Sequence, residues 1–66
     1  MDRQQLRGIV YSRYRSESEM AKQMGWPKQR LNKITTGAKE PTVQELNELA
    51  IALDMEIGRL AQIFLQ

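Results

Sequence analysis

The sequence predicts an all-α domain of five short helices, and three observations carry that prediction. Apolar residues recur at three- and four-residue spacings in five separate stretches, the repeat that lines one face of a helix. Two stretches open on the residue pair that caps a helix start reciprocally, Ser16 with Glu19 and Thr42 with Glu45. Glycine and proline stand between stretches, at Gly25 and Pro27 and again at Gly37 and Pro41, where a chain turns. All 66 residues are expected to form one domain. A chain of that length buries only about 60% of the surface its unfolded form exposes, so a partner subunit would help its stability.

Residues 2–14 read as the first helix, with Leu6, Ile9, Val10 and Tyr14 as its apolar stripe and Arg3, Arg7 and Arg13 largely outside it. Asp2 suits the positive end of its dipole, and Arg13 and Arg15 the negative end. The second helix is about two turns long: Ser16 caps it, Met20, Ala21 and Met24 face inward, and Gly25 closes it in the left-handed conformation. Pro27 suits the first position of a third helix, and Leu31 and Ile34 share its inner side. Lys28, Gln29, Asn32 and Lys33 lie on the opposite side, Arg30 on its flank, and Gly37 ends the element. Two short helices joined by a tight glycine turn, the second showing amide and cationic groups outward, match a helix-turn-helix that sets one helix in the DNA major groove.

A polar loop over 35–41 carries Lys39 beside Glu40. Thr42 and Glu45 then cap a fourth helix whose inner stripe is Val43, Leu46, Leu49, Ala50 and Leu53. Asp54, Met55 and Glu56 connect to a last helix holding Ile57, Leu60, Ala61, Ile63, Phe64 and Leu65, more apolar surface than one terminal helix buries in so small a domain. Leu60, Ile63 and Phe64 are therefore candidate dimer-interface residues. The alternatives are that this helix folds back on the first one or holds a different protein.

From residue 6 to about residue 60 the chain resembles the Cro and phage-repressor type (Xre, lambda-repressor-like) helix-turn-helix family. The matching positions are Met20-Ala21, Met24-Gly25, Leu31, Ile34 and Gly37 in the motif, then Pro41, Leu46, Leu49-Ala50, Leu53, Met55, Ile57 and Leu60 beyond it. The resemblance implies a five-helix, lambda-repressor-like fold and double-stranded DNA as partner. Carried over by position, Lys28, Gln29, Asn32 and Lys33 are the candidate contacts to bases. Their chemistry agrees, since Gln and Asn pair with adenine edges and Lys donates to guanine.

Because the second helix's N-terminus sits against the DNA backbone in this family, Arg15 and Ser16 are candidate phosphate contacts, joined on chemical grounds by Arg30 and Lys39, and Lys33 could equally reach a phosphate. Glu17 stands where the family commonly has Gln, and its charge is expected to repel phosphate. Val10 and Thr35 stand where many members pair Arg with Glu, so an apolar contact is expected there. Trp26 either packs over the turn or offers its indole N–H to a phosphate.

With no cysteine and no histidine, disulfides and the usual zinc and haem sites are excluded; a Gly-rich phosphate loop is also missing, and no enzyme activity or cofactor is expected. No apolar run approaches the ~20 residues of a membrane span, and the MDRQQLRG start has no apolar signal core, which makes the cytoplasm the expected location. Charge is unevenly spread: residues 1–39 carry a net +6 and residues 40–66 a net −4. The basic part contains the candidate reading helix.

These readings converge on a small Cro-like repressor binding a pseudo-palindromic operator as a homodimer, without effector or self-cleavage domains. Two other readings remain open: an antitoxin-like module whose last helix binds a different protein, and an interaction bundle without DNA binding.

Overall fold

The computed structural model describes residues 4–65 as five helices: α1 (Gln4–Arg13), α2 (Glu17–Met24), α3 (Lys28–Thr36), α4 (Val43–Leu53) and α5 (Ile57–Phe64). The dipole role expected of Asp2 lies outside the described residues. Leu6 and Val10 put the inner face of α1 into the core, with Ile9 and Tyr14 at its edge. The Tyr14 hydroxyl donates to the Ala52 carbonyl at 2.7 Å and so ties the end of α1 to α4.

Ser16 is extended, and its Oγ accepts the Glu19 backbone N–H at 3.1 Å. The reciprocal half of that box does not form; Glu19 instead accepts from Gln23 Nε2 one turn on. At the other end Gly25 turns to φ 76°, its N–H reaching the Lys22 carbonyl and that of Trp26 the Ala21 carbonyl. This paired closure needs a left-handed residue, which glycine supplies without a Cβ penalty.

Pro27 is not the first helical residue but the cap before it, with ψ 143° and an exposed ring. An extended cap lies off the helical wheel, so the inner side at this point is filled by Trp26 instead. Leu31, Ile34 and Thr35 are the buried residues of α3. Gly37 closes the helix at φ 88°.

Both halves of the Thr42–Glu45 capping box form at the start of α4. Leu49, Ala50 and Leu53 are buried as the spacing predicts, but Val43 is 81% exposed. The buried residue of the first turn is Glu45, drawn inward by cations described below. Asp54 ends α4 at φ 53°, with its own N–H on the Ile51 carbonyl and that of Met55 on the Ala50 carbonyl. That is the closure used at Gly25, here made by a residue with a side chain.

α3 packs on α1 and α2, whereas α5 packs on α4, within extents of 26 × 22 × 22 Å. Leu60 and Ile63 enter the same core as Leu6, Leu31 and Leu53, and Phe64 rests half-buried against it. Leu60 and Ile63 therefore do not offer surface to a second subunit. The physical reason is that Leu49 and Leu53 of α4 need a cover, and the inner face of α5 is that cover. The apolar surface left near this helix is Ile57 and Leu65, with the partly exposed Phe64 between them.

Candidate nucleic-acid interface

α3 owes its position to the short, tightly closed turn from α2. The Schellman-type closure at Gly25 and the extended Pro27 cap fix the angle between the two helices, and Leu31 and Ile34 anchor α3 on the core. With that side buried, Lys28, Gln29, Asn32 and Lys33 are all exposed and together line one shallow depression. The four candidate base contacts thus share a single face, offering amide donors and acceptors beside two ammonium groups.

A second concavity adjoins the first. It is lined by Lys28 and Asn32 of α3, Ser16, Glu17 and Ser18 at the start of α2, and Arg7 and Tyr11 of α1. Ser16 is half-buried, its Oγ holding the α2 cap, and Arg15 is exposed in the bend between α1 and α2. Sequence reasoning missed Arg7 and Tyr11 as part of this surface. The available signal was their four-residue spacing on the side of α1 away from Leu6 and Val10, which puts them one above the other.

Glu17 does not face solvent as a bare charge. It is 7% exposed, and its Oε1 accepts from the Thr35 hydroxyl at 2.8 Å and from Asn32 Nδ2 at 3.4 Å. Its Oε2 lies 3.7 Å from Arg7 Nε. The expected apolar contact at Val10 and Thr35 is corrected accordingly: Val10 is in the core, but Thr35 makes a polar contact. A hydroxyl buried at 1% exposure is costly without an acceptor, and two lie within reach, the Glu17 carboxylate at 2.8 Å and the Asn32 backbone carbonyl at 3.1 Å.

On the other flank of α3 a second buried carboxylate gathers two of the candidate phosphate contacts. Glu45, 3% exposed, accepts from Arg30 Nε at 2.7 Å and from Lys39 Nζ at 2.9 and 2.7 Å. The Thr42 backbone N–H adds a fourth hydrogen bond at 3.0 Å. Lys39 and the Thr42 N–H, helped by Arg30, outweigh the loss of water and hold the carboxyl at about 2, well below its ordinary value. Arg30 also stacks its guanidinium 4.2 Å from the centre of the Trp26 ring. Trp26 itself is part of the core, the packing role of the two expected for it. The Arg30 and Lys39 side chains remain 39% and 38% exposed.

Among the described residues no group of acidic, His or Cys side chains could hold a metal ion, and no helix is long and apolar enough to cross a membrane. The arrangement is a face of donors and acceptors between two flanks that carry cations. A family model described as helix-turn-helix matches residues 4–60 of the chain. No curated protein and no solved structure matches it.

Proposed function

The chain belongs to the Cro and phage-repressor type helix-turn-helix family, whose members are DNA-binding regulators, and on that premise we propose that it is a small Cro-like repressor of a pseudo-palindromic operator. The observation that carries this reading is the gathering of Lys28, Gln29, Asn32 and Lys33 on the exposed face of α3. α3 enters the major groove, where Gln29 and Asn32 pair with adenine and the two lysines donate to guanine. Arg15 and the capped start of α2 at Ser16 meet the phosphates of one strand, Arg30 and Lys39 those across the groove. Occupancy excludes polymerase from an overlapping promoter, in the cytoplasm where the DNA lies.

A twofold homodimer places two copies of α3 about 34 Å apart, one helical turn along the duplex. Ile57, Phe64 and Leu65 form the self-complementary patch for that dimer, in place of Leu60 and Ile63. The same apolar patch favours a second reading, an antitoxin-like module that holds a different protein there.

Selection of bound sequences from a random duplex library tests the proposal, followed by binding of the winner at several salt concentrations. An enriched inverted repeat with half-sites near one turn apart is the expected result. Failure to enrich any sequence, with residual binding lost at moderate salt, would leave the α3 face merely solvated. Sedimentation separates the two readings of the patch, since a homodimer alone changes mass with concentration.

A further inference from the structure

The geometry points to Glu45 as a specificity-determining residue, which restrains Arg30 and Lys39 so that they meet phosphates in one register only. This rests on the DNA-binding reading above and says how one of its flanks is controlled. Three elements meet at the carboxylate: Arg30 comes from α3, Lys39 from the loop after it, and Glu45 and its Thr42 cap from the start of α4. Both cations are held at 2.7 Å while keeping more than a third of their side chains in solvent. They are fixed and still reachable.

Cations on long flexible stems neutralise phosphates on any duplex, and that attraction carries no sequence information. Glu45 acts on it in two ways. Its negative charge takes one unit from the field that Arg30 and Lys39 present, which weakens the draw toward random DNA. Its hydrogen bonds, with Trp26 under the guanidinium, also fix where the cations stand relative to Lys28, Gln29, Asn32 and Lys33. Phosphate contact then coincides with base contact only when α3 is seated on its own sequence. Rotamer freedom is already lost before DNA arrives, so the cognate complex loses little more on forming.

The test compares Glu45→Gln with the wild-type protein on the selected operator and on a random duplex, each over a salt series, with thermal midpoints taken on the free proteins. Released from the carboxylate, Arg30 and Lys39 are expected to raise affinity for the random duplex about threefold and to steepen the salt dependence by about one unit. The preference for operator over random DNA should fall about tenfold. Thr42→Ala serves as the structural control, because it removes the hydroxyl cap of the same box but leaves Glu45 and its two cations in place. It should lower the midpoint and keep the preference.

If Glu45→Gln does not fold, Glu45→Asp takes its place, retaining the charge while losing the reach to Arg30; the preference should again fall. An unchanged preference, or an equal fall in Glu45→Gln and Thr42→Ala, overturns the inference and leaves Glu45 as a cap. If the wild-type protein binds neither duplex, the DNA-binding reading itself fails and the inference falls with it.

Discussion

At the scale of single residues, charge placement has consequences that pH can read. Glu45 is held at about 2 in the folded chain by Lys39, the Thr42 N–H and Arg30, against about 4.5 for an ordinary glutamate carboxyl in the unfolded chain. A depressed carboxyl stabilises the fold above its unfolded value, and that contribution disappears as pH falls toward the folded one. Stability should therefore drop between about pH 4.5 and pH 2 by on the order of 1–2 kcal/mol, allowing for the solvent around both cations. Acid titration of the thermal midpoint checks this, and Glu45→Gln should remove most of the drop. Asp54 is the opposite case, a residue held at φ 53° where a Cβ is disfavoured. Asp54→Gly should stabilise by about 1 kcal/mol, raising the melting temperature by roughly 4–8 °C in a domain of this size. The Thr42–Glu45 cap was legible because its partners are three residues apart. That Glu45 also binds Arg30, fifteen positions away, depends on tertiary approach and leaves no trace in spacing. The acceptor role of Glu17 is hidden for the same reason, since it is set by Thr35 on another helix.

At the scale of elements, α3 has two surfaces, one packed into the core and one proposed to read bases. Its inner side, Leu31 and Ile34, was visible in the sequence because helical spacing and a buried face coincide there. Its outer side was legible as chemistry, but the neighbours that frame it, Arg7 and Tyr11 of α1, were not, because a charged or aromatic residue outside a stripe looks the same solvated or facing a cleft. Val43 shows the complementary error: an apolar residue at nearly the right spacing lies outside the core when a cap residue such as Glu45 takes the inner side of the first turn. The division of duties predicts two kinds of mutant. Gln29→Ala should reduce the preference for operator over random DNA by ~1–3 kcal/mol and leave binding to random DNA almost unchanged. Arg15→Ala should weaken both and flatten the salt dependence by about one unit. Titrations of both variants on both duplexes read this directly, and equal losses for Gln29→Ala would remove it from the base-reading face.

At the scale of the whole molecule, α5 serves the core on one side and solvent on the other, and the proposed dimer depends on which residues do which. Leu60 is fully buried, so Leu60→Ala should cost about 2–5 kcal/mol, comparable with the entire stability of a domain this small. Such a variant loses dimer and monomer together and says nothing about the interface. Leu65 is 83% exposed and touches the fold little, so Leu65→Lys should leave monomer stability within about 0.5 kcal/mol of wild type. If Ile57, Phe64 and Leu65 are the self-association patch, the charge repels its twin across the twofold axis. Sedimentation should then show a monomer at concentrations where the wild-type protein dimerises. Because α3 packs on α1 and α2 while α5 packs on α4, this substitution lies away from the proposed reading face. Binding to a single half-site should persist, and only the gain in affinity from joining two half-sites should vanish. A dimer that survives Leu65→Lys would place self-association on another surface, whereas a wild-type chain that stays monomeric would give this patch to a different protein.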